Sequence, residues 1–177
     1  MPVIDVKNST LLVIDFQTRL MPAIDEGAAA IANARRLVEA AAMFGAPTLF
    51  TEQNPKGLGP TVPELRADDS RVLAKMEFDA GRAPGFDARL PEGNAAILTG
   101  VEAHVCVLQT ALGLIEKGRK VFVAADAVGS RRPESKAVAL RRMERNGVEI
   151  VTTEMVVFEW LGNATNPRFR EAVALIK

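Results

Sequence analysis

Short apolar runs recur along the chain between longer segments that have helical periodicity. Five of these runs, rich in Val, Ile, Leu and Phe, cover residues 11–15, 47–51, 95–99, 120–124 and 148–152. None alternates with polar residues, which is typical of strands buried on both faces of a parallel sheet. A shorter run at residues 71–74 indicates one more strand.

The segments between the runs have the spacing of amphipathic helices. Residues 28–44 place one apolar face inward and stop at Gly45, and residues 103–117 stop similarly at Gly118. Two further helical pieces are predicted at residues 155–161 and 167–176. The region 53–92, rich in proline and glycine, breaks this rhythm, and long irregular connections tend to be functional.

The helix that follows residue 124 has clear end signals. It starts at Pro133, stops before Asn146-Gly147, and is predicted to turn Val138 and Met143 inward together with neighbouring alanines. Strands that alternate with helices form right-handed crossover units. The predicted fold class is α/β: a single-domain, three-layer α/β/α sandwich over residues 1–177, with a central, mostly parallel, Rossmann-like sheet of about six strands.

Composition and charge narrow the class of protein. Apolar residues make up 48% of the chain, and 22 lysines and arginines balance 22 acidic side chains, so the net charge is zero. Without a basic stripe, nothing replaces the counterions of a phosphate backbone, and we predict no nucleic-acid partner. No run approaches the roughly 18 apolar residues of a membrane span, and no secretory signal opens the chain. We therefore expect a cytoplasmic protein with no membrane partner.

Reactive side chains follow three of the predicted strands. Asp15 ends the first strand, Lys75 follows the run 71–74, and Cys106, the single cysteine, lies beyond the run that ends at Thr99. Ligands of open parallel sheets bind outside the carboxyl ends of the strands. Each residue also has a plain alternative: Asp15 as a turn cap, Lys75 as a solvated surface lysine, and Cys106 as a buried thiol packed as a small hydrophobe.

The placement of Cys106 favours the reactive alternative. Gly100 marks a turn, and Cys106 falls in the first turns of the next helix, where unpaired backbone donors favour a thiolate. A thiol with an ordinary pKa of about 8.5 is only a few per cent ionised at neutral pH, so it needs a base or a positive neighbour. Asp15 is the candidate base and Lys75 the candidate charge.

Three motifs resemble those of the isochorismatase-like cysteine hydrolases. They are Asp15-Phe16-Gln17 after an apolar strand, Lys75-Met76-Glu77-Phe78, and the segment 99–106, which reads Thr-Gly-Val-Glu-Ala-His-Val-Cys. The resemblance covers nearly the whole chain and is greatest to the small isochorismatase domain-containing proteins. The cysteine motif is specific, whereas Asp-x-Gln alone is weak.

The resemblance implies a catalytic triad and a covalent mechanism. In it Asp15 accepts the thiol proton, Lys75 orients and balances charge, and Cys106 attacks a carbonyl or nitrile carbon to form a thioester that water hydrolyses. It also implies a cis peptide bond at Val101-Glu102, an oxyanion hole built from the amides of Glu102 and Cys106, and a homo-oligomer.

The chain departs from some relatives in its metal-binding residues. Nicotinamidases of this superfamily bind a metal through an Asp-x-His pair and a further histidine, whereas this chain has Thr51-Glu52-Gln53 in the corresponding loop. We therefore predict no metal and no cofactor. The single histidine, His104, is interpreted as a helix-start residue.

A small, partly aromatic pocket for a small-molecule substrate is expected beside the triad. The side chains predicted to contact the substrate are Phe16, Gln17, Gln53 and Phe78. Leu20 and Trp160 are explained as well by a core position as by a pocket position.

The predicted function is a metal-independent cysteine hydrolase that acts on a small amide or related C–N substrate. Two alternatives stay open. One is a vinyl ether hydrolase of the isochorismate type, in which Cys106 is dispensable. The other is a catalytically idle, oligomeric scaffold of the same fold.

Overall fold

One parallel sheet forms the middle layer of the computed structural model, which describes residues 3–65 and 68–177. Its strands are β1 (Ser9–Ile14), β2 (Thr48–Gln53), β3 (Val72–Lys75), β4 (Ala95–Val101), β5 (Val121–Gly129) and β6 (Glu149–Val151). The strand order is β3-β2-β1-β4-β5-β6, and every pairing is parallel. The predicted three-layer fold is confirmed, with a sheet that is fully rather than mostly parallel.

Helices cover both faces of this sheet. They are α1 (Gly27–Phe44), α2 (Pro55–Leu58), α3 (Leu108–Glu116), α4 (Pro133–Arg145), α5 (Thr153–Leu161) and α6 (Phe169–Ile176). A π-helical segment, Ala103–Val107, precedes α3 directly and carries Cys106. Periodicity predicted all of these helices except α2, a single turn inside the irregular region 53–92. In the described ranges, no helix combines the length and the apolar character needed to cross a membrane.

The sheet divides the core into two clusters. Leu11 and Val13 of β1 belong to a cluster beneath α1, α5 and α6, whereas Leu12 and Ile14 belong to a cluster beneath α3 and α4 that includes Cys106. Successive side chains of a strand point to opposite faces. Residue parity along β1 therefore decides which side of the sheet a side chain enters.

The predicted inward position of Val138 is wrong. Met143 and Ala139 of α4 are buried, but Val138 is 55% exposed. Residues four apart lie above one another on a helix, so the buried stripe runs through positions 139 and 143. The residue before Ala139 is rotated away from that stripe and faces solvent.

The ends of β1 and β4 approach each other closely. Ile14 is the sheet partner of Gly100, and a Cβ added to Gly100 would lie 2.4 Å from the carbonyl oxygen of Ile14. The φ angle of Gly100 is +150°, which side chains rarely adopt. Glycine at this position thus lets the segment after β4 come next to the residue that follows β1.

Replacing Gly100 with alanine should lower the free energy of unfolding by roughly 2–4 kcal/mol, because the two strand ends must move apart. Urea unfolding measures this loss. Gly93→Ala is a matched control, since its φ is +83° but nothing lies within 4 Å of the added Cβ. That variant should lose about 1 kcal/mol from the backbone angle alone. Equal losses in the two variants would contradict the close-contact explanation.

Candidate active site

The carboxyl ends of four neighbouring strands bring the predicted site residues together. Lys75 ends β3, Gln53 ends β2, Asp15 follows β1, and Cys106 lies in the helical segment after β4. The strand order reverses between β1 and β4, which is where open α/β sheets form their ligand crevice. The fold therefore places these residues at the position where chemistry is expected.

Asp15 and Lys75 form a buried ion pair. Lys75 Nζ donates to Asp15 Oδ2 over 2.7 Å, and neither side chain is accessible to solvent. Thr51 Oγ1 donates to the other carboxylate oxygen, Oδ1, also over 2.7 Å. Buried charges persist when they are paired and hydrogen-bonded. The alternative that Lys75 is a solvated surface lysine is thus wrong.

The ammonium group of Lys75 has two further acceptors. It donates to Gln53 Oε1 over 2.8 Å and to the carbonyl oxygen of Glu77 over 3.2 Å. An ammonium has three hydrogens to donate. Together with Asp15, these oxygens satisfy the group, so its position is well defined.

Asp15 reaches this cluster through an uncommon backbone conformation. Alternation along β1 would direct its side chain with that of Val13, toward the cluster on the other side of the sheet from Cys106. Its φ angle of 56° is left-handed and breaks the alternation, so the carboxylate meets Thr51 and Lys75 instead. Residues other than glycine that adopt strained backbone angles are concentrated at functional sites.

The thiol of Cys106 lies beside Asp15 and Lys75, close enough for both charges to act on its pKa. Burial raises the pKa of this thiol from 9.0 to about 12, the charge of Asp15 adds to the increase, and Lys75 opposes it. The expectation that backbone donors at the helix start would favour a thiolate is therefore wrong for the resting protein. Desolvation of the charged form outweighs those donors.

The segment that leads to Cys106 contains the expected cis peptide bond at Val101-Glu102. The carboxylate of Glu102 accepts hydrogen bonds from Arg131 N over 2.9 Å and from Arg131 Nε over 3.0 Å, which ties the ends of β4 and β5 together. Within residues 3–65 and 68–177, the N–H of Glu102 donates to no other backbone group. Its role in an oxyanion hole stays a prediction.

Two of the predicted substrate contacts have structural roles instead. Phe16 is fully buried in the cluster across the sheet from Cys106. Gln17 is also buried, and its amide bonds the backbone of Gln53 and the carbonyl oxygen of Gly59. Phe16 is on the other side of the sheet from the thiol, and the amide of Gln17 is used to hold backbone groups, so we correct both assignments.

The other predicted contacts differ in exposure. Gln53 bonds Lys75 through Oε1, and its Nε2 donates to the carbonyl oxygen of Met76 over 2.8 Å. Phe78 is 51% exposed and lines a cleft with Gln109 and Leu112 to which Asp15, Lys75 and Cys106 do not contribute, so its contact with a substrate stays a prediction. Leu20 and Trp160 pack in the cluster across the sheet from the thiol, which agrees with the core interpretation.

Thr51 is a site residue that the sequence did not reveal. In the sequence it stood out only as part of a segment that lacks the metal ligands of nicotinamidases, whereas in the fold its hydroxyl holds Asp15. Side chains two positions apart on a strand share a face, so Thr51 and Gln53 lie on the same face of β2. This spacing was the sequence signal that could have identified Thr51.

His104 lies with its Nδ1 3.0 Å from Ser130 Oγ. In the part of the chain that the structure describes, no group of three or more His, Cys, Asp or Glu residues is placed to hold a metal ion. The metal-free site stays a prediction.

The chain is similar to known proteins along most of its length. Residues 9–155 match the isochorismatase domain. The chain belongs to the isochorismatase family. Membership of this family supports a hydrolase activity in general and does not specify the reaction. Isochorismatase domain-containing protein 2 of Xenopus laevis is 37% identical over 173 residues, which cover 96% of this chain and 84% of that protein.

Solved structures of this family superpose closely on the chain. MAR1 ribonuclease from Caenorhabditis elegans is 38% identical with a TM-score of 0.94, over 99% of this chain and 92% of that one. YcaC from Escherichia coli, described as an octameric hydrolase of unknown specificity, is 28% identical with a TM-score of 0.88, over 99% and 88% of the two chains. YcaC from Pseudomonas aeruginosa, solved with hexane-2,5-diol and covalent acrylamide, is 26% identical with a TM-score of 0.91, over 98% and 91%.

The raised pKa of Cys106 predicts how this thiol titrates. At about pH 10 most of the thiol ionises in the unfolded chain, whereas the folded thiol, with a pKa of about 12, is only about 1% ionised. Thiolate ultraviolet absorbance at that pH should therefore appear only after urea is added. The chain contains no tyrosine, so no tyrosinate obscures the signal. A thiolate signal from the folded protein near pH 9 would contradict this prediction.

Proposed function

We propose that this protein is a metal-independent hydrolase in which Cys106 attacks a small amide or related C–N substrate and forms a thioester. The observation that carries the proposal is the position of the thiol beside both members of a buried ion pair, Asp15 and Lys75. A nucleophile beside a base that a third group orients is the general arrangement of covalent catalysis. The family supports a hydrolase, and this arrangement supports the finer assignment.

The first half of the reaction makes the acyl-enzyme. As Cys106 Sγ bonds to the carbonyl carbon, Asp15 takes the thiol proton, and the carbonyl electron pair moves to the oxygen. The amides of Glu102 and Cys106 stabilise this oxyanion, a contribution typically worth a few kcal/mol per donor. When the carbonyl reforms, the C–N bond breaks, and the leaving amine takes the proton from Asp15.

The second half releases the acid. A water molecule gives a proton to Asp15 as its oxygen bonds to the thioester carbon. Collapse of the second tetrahedral intermediate breaks the C–S bond, and the proton returns from Asp15 to the sulfur. Lys75, which is paired with Asp15, limits the negative charge that builds on Asp15 and Sγ.

A neutral resting thiol is compatible with this scheme. With a pKa of about 12, very little of Cys106 is thiolate at neutral pH, so attack has to be coupled to proton transfer. Asp15 is the acceptor within reach. This coupling predicts that the reactivity of Cys106 depends on Asp15 more than on the bulk pH.

Acrylamide tests the nucleophile and its base together, because it is a small amide with an electrophilic carbon. The structure of P. aeruginosa YcaC with covalent acrylamide supports this choice of reagent. The folded wild type should gain one acrylamide adduct, which intact-mass spectrometry followed by peptide mapping places on Cys106. Asp15→Asn should label at least about tenfold more slowly at neutral pH, because the thiol loses its proton acceptor. Labelling that requires urea would favour the idle scaffold.

Turnover separates the two enzymatic hypotheses. A screen of small amides, nitriles and isochorismate should find a substrate whose hydrolysis falls at least about a thousandfold in Cys106→Ala. Rapid acid quenching during turnover should trap an acyl adduct on Cys106. Isochorismate cleavage that survives in Cys106→Ala would instead favour the vinyl ether hydrolase.

A second candidate function is RNA cleavage, which the name of the C. elegans MAR1 ribonuclease suggests. The observation that favours it here is a set of exposed arginines, Arg141, Arg142 and Arg145, that line a cleft at the end of α4. Such side chains can neutralise phosphates. The chain as a whole has zero net charge, so the amide proposal is preferred.

Single-stranded RNA tests this candidate. Under the amide proposal the wild type leaves RNA intact. Under the second candidate it cleaves RNA, the rate falls as salt is raised, and replacing the three α4 arginines with glutamine slows cleavage. Asp15→Asn, purified in the same way, controls for contaminating nuclease.

We also propose a homo-oligomer and a cytoplasmic location. The description of E. coli YcaC as octameric supports the first. Met76 and Phe78 are apolar side chains that come shortly after Lys75 in the chain, and each is more than half exposed at the site. This exposure is compatible with a contact between subunits.

A further inference from the structure

We propose that Thr51 and Gln53, at the end of β2, are positioning residues for the cysteine hydrolase reaction proposed above. Thr51 orients the carboxylate of Asp15, and Gln53 fixes the ammonium of Lys75. The inference rests on the proposed function, because it assigns the groups that hold its base and its cation.

The sheet register puts these two residues where they are needed. Thr51 is the β2 partner of Ile14, the residue before Asp15, and Gln53 is the β2 partner of Lys75. Positions two apart on a strand share a face. Since β2 lies between β1 and β3, its last residues span the gap between the base, Asp15, and the cation, Lys75.

Thr51 holds Asp15 at two points. Its hydroxyl donates to Asp15 Oδ1 over 2.7 Å, and its carbonyl oxygen accepts from the Asp15 N–H over 3.1 Å. Lys75 occupies Oδ2, so both carboxylate oxygens have a fixed donor. Each oxygen has two lone pairs, which leaves acceptor capacity for the proton of Cys106. The carboxylate therefore keeps one orientation toward the thiol.

Gln53 is held as firmly as Lys75. Its backbone N–H and carbonyl both bond the amide of Gln17, over 2.9 and 3.0 Å. Its own side chain has only one chemically sensible orientation, because Lys75 can only donate and the carbonyl of Met76 can only accept. Oε1 thus faces Lys75 and Nε2 faces Met76, so the protein holds both ends of this amide in one orientation.

Orientation of the base matters because the thiol does not ionise by itself near neutral pH. Proton transfer to Asp15 has to accompany attack by sulfur, and it requires a carboxylate lone pair in line with the S–H bond. A displacement of about 1 Å in a reacting group can cost on the order of a hundredfold in rate. Loss of either contact should therefore slow Cys106 without removing any reacting group.

The rate at which acrylamide labels Cys106, followed by intact-mass spectrometry, tests this without a known substrate. Thr51→Val removes the hydroxyl at nearly constant shape and should slow labelling at neutral pH at least about tenfold. Thr51→Ser keeps the donor and should restore most of the rate.

Two further variants complete the experiment. Gln53→Leu removes the acceptor of Lys75 at a partly exposed position and should also slow labelling about tenfold. Thr48→Val is the same threonine-to-valine substitution at the other end of β2, and Cys106 in this variant should be labelled at the wild-type rate. Far-ultraviolet circular dichroism tests whether each variant is folded. If Thr51→Val is not folded, the labelling rate of Gln53→Leu decides the outcome.

The outcomes separate this inference from the proposed function. If the folded wild type does not label, or Asp15→Asn labels as fast as the wild type, the cysteine hydrolase proposal fails and this inference fails with it. If Asp15→Asn is slow but Thr51→Val and Gln53→Leu label at the wild-type rate, only the positioning role is overturned. Slow labelling in both variants, with rescue by Thr51→Ser, supports it.

Discussion

A carboxylate and an ammonium that are both buried away from water must pair with each other. Asp15 and Lys75 form such a pair, so the strands of the sheet must be arranged to bring these two side chains together. Its partners come from β1 and β3, which are separated by β2, so the pair forms only when the three strands are in register. Removal of one partner from a buried pair typically costs about 3–5 kcal/mol, because the other charge is left uncompensated. The pair is thus a consequence of correct folding as much as a contribution to it.

The same burial determines the state of Cys106. Because the thiol is desolvated and lies beside a carboxylate, its pKa is raised, and the resting side chain is neutral. Thiolates react faster than thiols with oxidants and with electrophiles, so a neutral thiol reacts slowly unless a base takes its proton. Under the proposed mechanism Asp15 takes that proton as a bond to carbon forms. Under the same proposal, burial and catalysis are two effects of one arrangement.

Much of the fold was predictable because its signals are local. Strands such as 95–99 are continuous apolar runs, and the helix that starts at Pro133 has clear end residues, so neither depends on distant contacts for its identity. The position of Val138 was predicted wrongly because a helix with several apolar positions allows more than one inward face. Which face packs is decided by the neighbouring strands, and these choose Ala139 and Met143.

The sequence by itself determined the α/β class, the three reactive side chains at strand ends and, through the resemblance, the family. Tertiary structure decided which groups hold them. Thr51 lies 36 residues from Asp15 along the chain, and Lys75 lies 60 residues from it, so both contacts depend on strand order and register. The left-handed backbone of Asp15 directs its carboxylate to the opposite side of the sheet from the one that alternation predicts. Tertiary structure also turned Phe16 and Gln17 from expected ligand contacts into structural residues, since burial depends on what packs above a side chain and not on its chemical type.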